Sequence, residues 1–170
     1  MKLLTVSAFL CAMIALTRAA ALGPLIKTAK NHLVIGSASC PCGWSEFNGR
    51  CFHFFPTIMT WAKAESNCLS LGGHLASIHN ILEYHAIQNL IQSTTENKIK
   101  IKTWVGGSDA QEEGEWFWSD GTEFSYSNWC PGEPNNYQGQ HCLQINYGTG
   151  NCWDDVSCYK YRPSVCAKEI

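Results

Sequence analysis

The sequence lacks the signatures of several classes of protein. It has no His-Glu-x-x-His motif, no paired Cys-x-x-Cys set and no nucleophile–base motif, and its six histidines are scattered. We therefore expect neither a zinc site nor an enzyme. The net charge is only -2, which argues against a nucleic-acid partner. Repeats, low-complexity tracts and Asn-x-Ser/Thr sequons are also absent.

Basic residues are missing from one long stretch. No Lys or Arg lies between Lys102 and Lys160, whereas nine carboxylates do: Asp109, Glu112, Glu113, Glu115, Asp120, Glu123, Glu133, Asp154 and Asp155. One interpretation is a solvated acidic face. The other is that some of these carboxylates bind a hard cation such as calcium, which prefers oxygen ligands.

The first residues have the pattern of a secretory signal peptide. Lys2 precedes an apolar run from Leu3 to Leu16, which is too short for a bilayer span, and small residues follow. We predict a signal peptide over residues 1–20, a loose N-terminal arm over 21–39 and one folded domain over 40–170. No later apolar stretch is long enough to cross a membrane, so the mature protein is predicted to be secreted.

The cysteine count agrees with an extracellular location. Of ten cysteines, Cys11 leaves with the signal peptide and nine remain. Secreted domains use such residues as disulfides. Eight cysteines allow 105 pairings, so counting alone leaves the connectivity open. The odd number leaves one thiol unpaired or bonded to another chain.

The periodicity of the sequence predicts an α+β domain. Residues 60–73 read as a helix capped by Thr60, and residues 80–92 as a second helix with Asn80 and Glu83 in a capping box. Short strands are predicted at "KIKIKTWVGG", "EWFWSDG", "HCLQI", "NCWDDV" and "SVCAKE". The Gly- and Asn-rich stretch from Gly121 to Gln140 predicts one long ordered loop. Two early helices followed by strands favour an antiparallel sheet.

The tripeptide Glu133-Pro134-Asn135 is the centre of the candidate site. Only proline has substantial access to a cis peptide bond, which would turn the flanking carboxylate and amide toward one side. Gln140, Asp154 and Asp155 complete a set of oxygen ligands with three negative charges. Such a set suits calcium. An ordinary proline turn is the alternative.

The order of motifs resembles the C-type lectin-like family across nearly the whole mature chain. The matching segments are "CPCGWSEFNGRC", "WAKAESNC", "GGHLASI", "WVGG", "EWFWSDG", "NWCPGEPNN", "CWDDVSC" and "VCAKE". The resemblance implies a fold of two helices, antiparallel sheets and a long calcium-binding loop, stapled by disulfides. It implies the bridges Cys40–Cys51, Cys68–Cys166 and Cys142–Cys158, with Cys130–Cys152 as a fourth.

Under those pairings Cys42 is the odd cysteine. We predict that it forms an interchain disulfide that makes a homodimer, and the alternative is a free or capped thiol.

The resemblance also implies a function in binding glycans. Glu133, Asn135, Gln140, Asp154 and Asp155 match the family's principal calcium ligands, and the first four would also contact the sugar. Gln140 stands where the family has Glu, and Asp154 where it has Asn, so the charge is unchanged. In the family, Glu-Pro-Asn goes with mannose-type sugars. We therefore predict calcium-dependent binding of mannose-type glycans, in glycan or pathogen recognition.

Two further expectations follow from the resemblance. Asp109 and Glu113 match an auxiliary calcium site, whose other acidic positions hold Asn136 and His141. Tyr137 is a candidate for stacking on a sugar face.

Two other functions occur on this fold. One is ice binding, as in the type II antifreeze proteins, which share the extra bridge. The other is a protein-binding module that needs no calcium.

Overall fold

The structure is a computed structural model that describes residues 39–95 and 101–170. The predicted signal peptide and almost all of the predicted arm lie outside the described residues, as does the start of "KIKIKTWVGG". Within the described ranges, no helix is both long enough and apolar enough to cross a membrane.

Both predicted helices are present and are followed by the predicted strands. The elements in chain order are β1 (Ser45–Phe47), β2 (Arg50–Met59), α1 (Trp61–Ser70), β3 (His74–Leu75), α2 (Ile81–Thr94), β4 (Thr103–Ser108), β5 (Phe117–Trp118), β6 (Cys142–Tyr147), β7 (Cys152–Val156) and β8 (Arg162–Glu169). The α+β fold class with two helices is confirmed.

The ends of α1 differ from the sequence prediction in one respect. The Thr60 side chain makes no capping hydrogen bond, so the predicted side-chain cap is wrong. Its backbone oxygen instead accepts a hydrogen bond from Ala64 N at 2.9 Å. The helix ends where Gly72 takes a positive φ of 77°. At Gly73, an added Cβ would lie 2.3 Å from Ala167 O in β8.

The start of α2 is capped as predicted by Asn80, whose Oδ1 accepts a hydrogen bond from Glu83 N at 2.9 Å. The Glu83 side chain does not complete the capping box on Asn80, because its Oε2 accepts from His79 N at 2.7 Å. Its other oxygen pairs with Arg50 at 2.9 Å. The buried carboxylate of Glu83 therefore joins the helix start to β2.

The strands form one connected sheet. Its order is β1-β2-β8-β4-β6-β7, with β3 also pairing with β8 and β5 with β4. The prediction of antiparallel pairing holds for every strand pair except β4 and β8, which are parallel at Trp104 and Ser164. In this order β8, the last strand of the chain, lies between β2 and β4.

Four disulfides connect the helices and loops to this sheet. They are Cys40–Cys51, Cys68–Cys166, Cys130–Cys152 and Cys142–Cys158, the same pairs that the resemblance implies. Cys42 is disulfide-bonded as well, and none of the described cysteines is free. The free thiol considered for Cys42 is therefore wrong for this structure. The homodimer through an interchain bond of Cys42 stays a prediction.

The long loop between β5 and β6, residues 119–141, packs around one buried side chain. Trp153, fully buried on β7, has ring centroids of Phe124, Tyr126 and Trp129 at 6.0, 5.6 and 5.8 Å. Backbone bonds from Cys130 N to Trp153 O and from Trp153 N to Asn128 O join loop and strand at 2.9 and 2.8 Å. This packing places the loop beside the two carboxylates that follow Trp153.

Candidate functional site

Three carboxylates meet where the long loop crosses β7. One oxygen each from Glu133, Asp154 and Asp155 lies within 4.8 Å of the others. Asp154 and Asp155 are buried, with 6% and 1% exposure, and Glu133 is half-buried. The strand therefore holds two carboxylates in place and the loop brings the third.

The backbone of the loop turns at the Glu133–Pro134 peptide bond, which is cis. Proline has no N–H, so the first donors after it are the next two amides. These are Asn135 N and Asn136 N, which donate to the two oxygens of Asp155 at 2.9 and 2.7 Å. Asp155 thus holds the proline turn against β7.

The amide side chains of the loop stabilise its turns. Asn135 Oδ1 accepts a hydrogen bond from Tyr137 N at 2.8 Å, and Asn136 Oδ1 accepts one from Gln140 N at 2.8 Å. Asn136 and Gln138 have positive φ values of 47° and 61°. Asparagine tolerates that backbone region better than most residues. These contacts carry the chain around the tip of the loop and back to Gln140.

Two buried oxygens of the loop have no hydrogen-bond partner. They are Glu133 Oε2 and Gln140 Oε1. A buried acceptor without a donor costs about 1–3 kcal/mol, so such atoms in a native protein usually face a ligand, water or ion. Carboxylate and amide oxygens are the donors that calcium prefers. The predicted ligands Glu133 and Gln140 therefore fit a calcium ion.

The electrostatics of the cluster also fit a cation. Burial and the negative charges of Asp154 and Asp155 raise the pKa of Glu133 from 4.5 to about 7. Burial and the charge of Asp155 raise the pKa of Asp154, although a hydrogen bond from Gln144 opposes the shift. Within the described residues, no Lys or Arg forms an ion pair with the three carboxylates. A bound cation would remove this repulsion.

The structure brings together only part of the predicted ligand set. Glu133, Asp154 and Asp155 converge, and Gln140 offers its unpaired oxygen. Asn135 is exposed, and the Oδ1 atom predicted to bind calcium is hydrogen-bonded to the loop backbone. A carbonyl oxygen has two lone pairs, so this contact leaves one of them available. The roles of all five residues as ligands stay predictions.

The predicted auxiliary site forms a separate cluster. Nδ1 of His141 lies 3.1 Å from Asp109 Oδ1 and 3.4 Å from Glu113 Oε2. Asn136, the fourth residue assigned to this site, uses its Oδ1 within the loop. An imidazole nitrogen in direct contact with both carboxylates replaces an oxygen that calcium would prefer. The auxiliary calcium site stays a prediction.

Sequence reasoning did not identify Gln144 and Arg162 as part of the site. Gln144 is 1% exposed, and its Nε2 donates to Asp154 Oδ2, while Arg162 Nε donates to Gln144 Oε1 at 2.8 Å. The sequence contained one indication of the role of Gln144, because this polar residue lies between the apolar residues Leu143 and Ile145.

Comparisons with known proteins agree with this fold and site. The family model of the lectin C-type domain matches residues 57–168. A type-2 ice-structuring protein of Osmerus mordax is 42% identical over 163 residues, 93% of this chain and 88% of that protein. The galactose-specific lectin nattectin of Thalassophryne nattereri is 43% identical over 136 residues, 79% of this chain and 83% of that protein.

Solved structures show the same fold with different calcium requirements. A calcium-dependent type II antifreeze protein in its calcium-free form has a TM-score of 0.70 at 39% identity, over 76% of this chain and 99% of that one. A calcium-independent type II antifreeze protein has a TM-score of 0.69 at 40% identity, over 77% of this chain and 95% of that one. The relatives are lectins and antifreeze proteins, which are not enzymes, and the prediction that the chain is not an enzyme is confirmed. The chain belongs to the C-type lectin domain family.

Proposed function

We propose that the chain is a secreted, calcium-dependent carbohydrate-binding protein that prefers mannose-type sugars. The observation that carries the proposal is the pair of buried, unpaired oxygens of Glu133 and Gln140 beside the carboxylates of Asp154 and Asp155. Those oxygens have no partner among the described residues, and a calcium ion would supply one.

The donor set supports calcium in number and charge. Three carboxylates and the amide oxygens of Asn135 and Gln140 provide five protein ligands, whereas calcium takes six to eight oxygens. One or more coordination positions on the ion are therefore left open. Two neighbouring hydroxyl groups of a sugar would occupy them. Three negative charges outweigh the two charges of the ion, which favours retention in the loop.

The side chains that bind calcium would also form hydrogen bonds with the sugar hydroxyls. Each sugar hydroxyl can donate one hydrogen bond to a carboxylate and accept one from an amide N–H. Glu133 with Asn135 offers one acceptor–donor pair, and Asp154 with Gln140 offers the other. Each hydroxyl therefore has one acceptor and one donor. This holds although the carboxylate and the amide at positions 140 and 154 are exchanged relative to the family pattern.

The sugar class rests on the Glu-Pro-Asn tripeptide, which goes with mannose-type sugars in the family that the sequence resembles. The galactose-specific relative makes galactose the competing ligand, so both sugars belong in the test. Four disulfides and the predicted signal peptide support an extracellular protein, where glycans are exposed.

Chromatography of the mature protein on mannose-agarose, with calcium and then with EDTA, tests the proposal. We expect retention in calcium and release by EDTA or free mannose. Glu133→Ala should abolish retention, whereas Glu123→Ala, which removes an exposed carboxylate of the same loop, should not. Retention of Glu133→Ala would contradict the site, and retention only on galactose-agarose would contradict the sugar class.

Ice binding is the second candidate, favoured by the 42% identity to a type-2 ice-structuring protein over 93% of this chain. Thermal hysteresis, measured with calcium and with EDTA, distinguishes the two functions. Hysteresis without retention on either sugar would favour the ice-binding function. Hysteresis that disappears in EDTA would place the calcium loop on the ice-binding face.

A further inference from the structure

A chain of three polar side chains runs through the sheet behind the candidate calcium site. Arg162, the first residue of β8, donates from Nε to Gln144 Oε1 at 2.8 Å. Gln144 donates from Nε2 to Asp154 Oδ2. Gln144 and Asp154 face each other across β6 and β7, since they are partners in the register of these strands.

The orientation of the Gln144 amide follows from the chemistry of its two neighbours. A guanidinium group only donates hydrogen bonds and a carboxylate only accepts them. The carbonyl end of Gln144 must therefore face Arg162, and the NH2 end must face Asp154. Each end of the amide has one partner, so a flip by half a turn would break both contacts.

Gln144 is poorly explained as a packing residue. Its neighbours in β6, Leu143 and Ile145, are fully buried and apolar, and Gln144 is 1% exposed. A leucine would fill such a position without burying an amide, which is expensive unless it is hydrogen-bonded. Among the hydrogen bonds of the described residues, Gln144 also provides the one N–H donor to the Asp154 carboxylate.

We propose that Gln144 is a positioning residue that holds Asp154 in its calcium-binding orientation, and that Arg162 fixes the direction of the Gln144 amide. This role rests on the proposed calcium site. By engaging one carboxylate oxygen of Asp154, the amide leaves the other oxygen for the ion.

The experiment measures the binding of terbium, a luminescent substitute for calcium, to the mature protein and to Gln144→Leu. Tryptophan excitation gives the affinity, because Trp153 precedes Asp154, and luminescence lifetimes in H2O and D2O give the number of water molecules on the ion. We expect terbium and calcium to bind about 10–100-fold more weakly to Gln144→Leu. We also expect additional bound water, because Asp154 no longer reaches the ion reliably.

Two further variants separate positioning from folding. Ile145→Val disturbs the same strand without a polar change, and it should leave both the affinity and the water count unchanged. Arg162→Met, at a half-buried position, should weaken binding in the same direction as Gln144→Leu but by less. If the role of Gln144 were purely structural, Gln144→Leu would lower the melting temperature in EDTA without changing the number of water molecules on the bound ion.

The outcomes separate this inference from the proposed function. If the unchanged protein binds neither terbium nor calcium, the calcium site is wrong and the positioning role falls with it. If the unchanged protein binds the ion and Gln144→Leu binds it equally well with the same water count, the positioning role alone is overturned.

Discussion

Calcium binding should depend strongly on pH between 6 and 8 because of Glu133. In the metal-free protein, burial and the neighbouring carboxylates raise the pKa of Glu133 to about 7. A carboxylate must be ionised to bind a metal ion, so binding displaces the proton that Glu133 holds at lower pH. The calcium affinity is therefore expected to fall as the pH falls through 7.

The size of the effect follows from the fraction of ionised Glu133. With a pKa of about 7, that fraction falls from about nine-tenths at pH 8 to about one-tenth at pH 6, so the apparent Kd for calcium rises about tenfold. At a calcium concentration well above Kd, the stabilisation by calcium falls by about 1.4 kcal/mol. For a domain of this size, that change corresponds to a shift in Tm of about 4 °C.

The metal-free protein should show the opposite trend. The pKa of Glu133 is about 7 when folded and near 4.5 when unfolded, so between these values the folded state binds more protons than the unfolded state. Its contribution to stability therefore grows as the pH falls through 7 and is lost as the pH rises.

Differential scanning fluorimetry at pH 6 and pH 8, each in calcium and in EDTA, measures both trends. Subtracting the Tm in EDTA from the Tm in calcium at the same pH removes the contributions of groups that titrate elsewhere in the protein. His141→Asn removes a nearby histidine and should keep the pH dependence, whereas Glu133→Gln should lose it together with most of the calcium effect. A calcium-induced Tm shift that is equal at both pH values would refute the reasoning.

The other predictions concern the stability of the fold. Replacing Cys130 and Cys152 by serine opens a loop with a sequence separation of 22 and should cost about 3 kcal/mol in guanidinium unfolding, where a loss below 1 kcal/mol would contradict the estimate. Arg50→Met leaves the buried carboxylate of Glu83 without its 2.9 Å partner and should cost about 3–5 kcal/mol in the same assay; wild-type stability would show that the pair contributes nothing. Gly73→Ala places a methyl group 2.3 Å from a backbone oxygen of β8 and should cost about 1–3 kcal/mol, and an unchanged Tm would show that the strand moves aside freely.

Local features of the fold were predictable where short-range chemistry determines them. Asn80 marks the start of α2 because its side chain bonds an amide three residues later, and this contact needs no knowledge of the rest of the chain. Thr60 also has a side chain that can cap a helix, but it makes no such bond. The parallel pairing of β4 with β8 was not predictable, because it joins Trp104 to Ser164, which are far apart in the chain.

The candidate site divides in the same way. Glu133, Asp154 and Asp155 could be found because a proline motif and a pair of adjacent carboxylates are visible in the sequence. Gln144 could not be assigned, since its role depends on its being opposite Asp154 in the register of β6 and β7. The register shifts between Gln144 and Tyr147, so counting residues back from the turn would not have placed this pair reliably.

The long loop is held by contacts that do not involve its carboxylates. The Trp153 ring packs against three aromatic rings of the loop, and the Cys130–Cys152 disulfide joins the loop to β7. These contacts provide the hydrophobic burial and the covalent constraint that order a loop without a metal. The carboxylates of Glu133 and Asp154, whose pKa values are raised by burial, oppose that order when the ion is absent. Removing calcium should therefore abolish ligand binding and lower the stability of the loop, while the sheet and its disulfides stay folded.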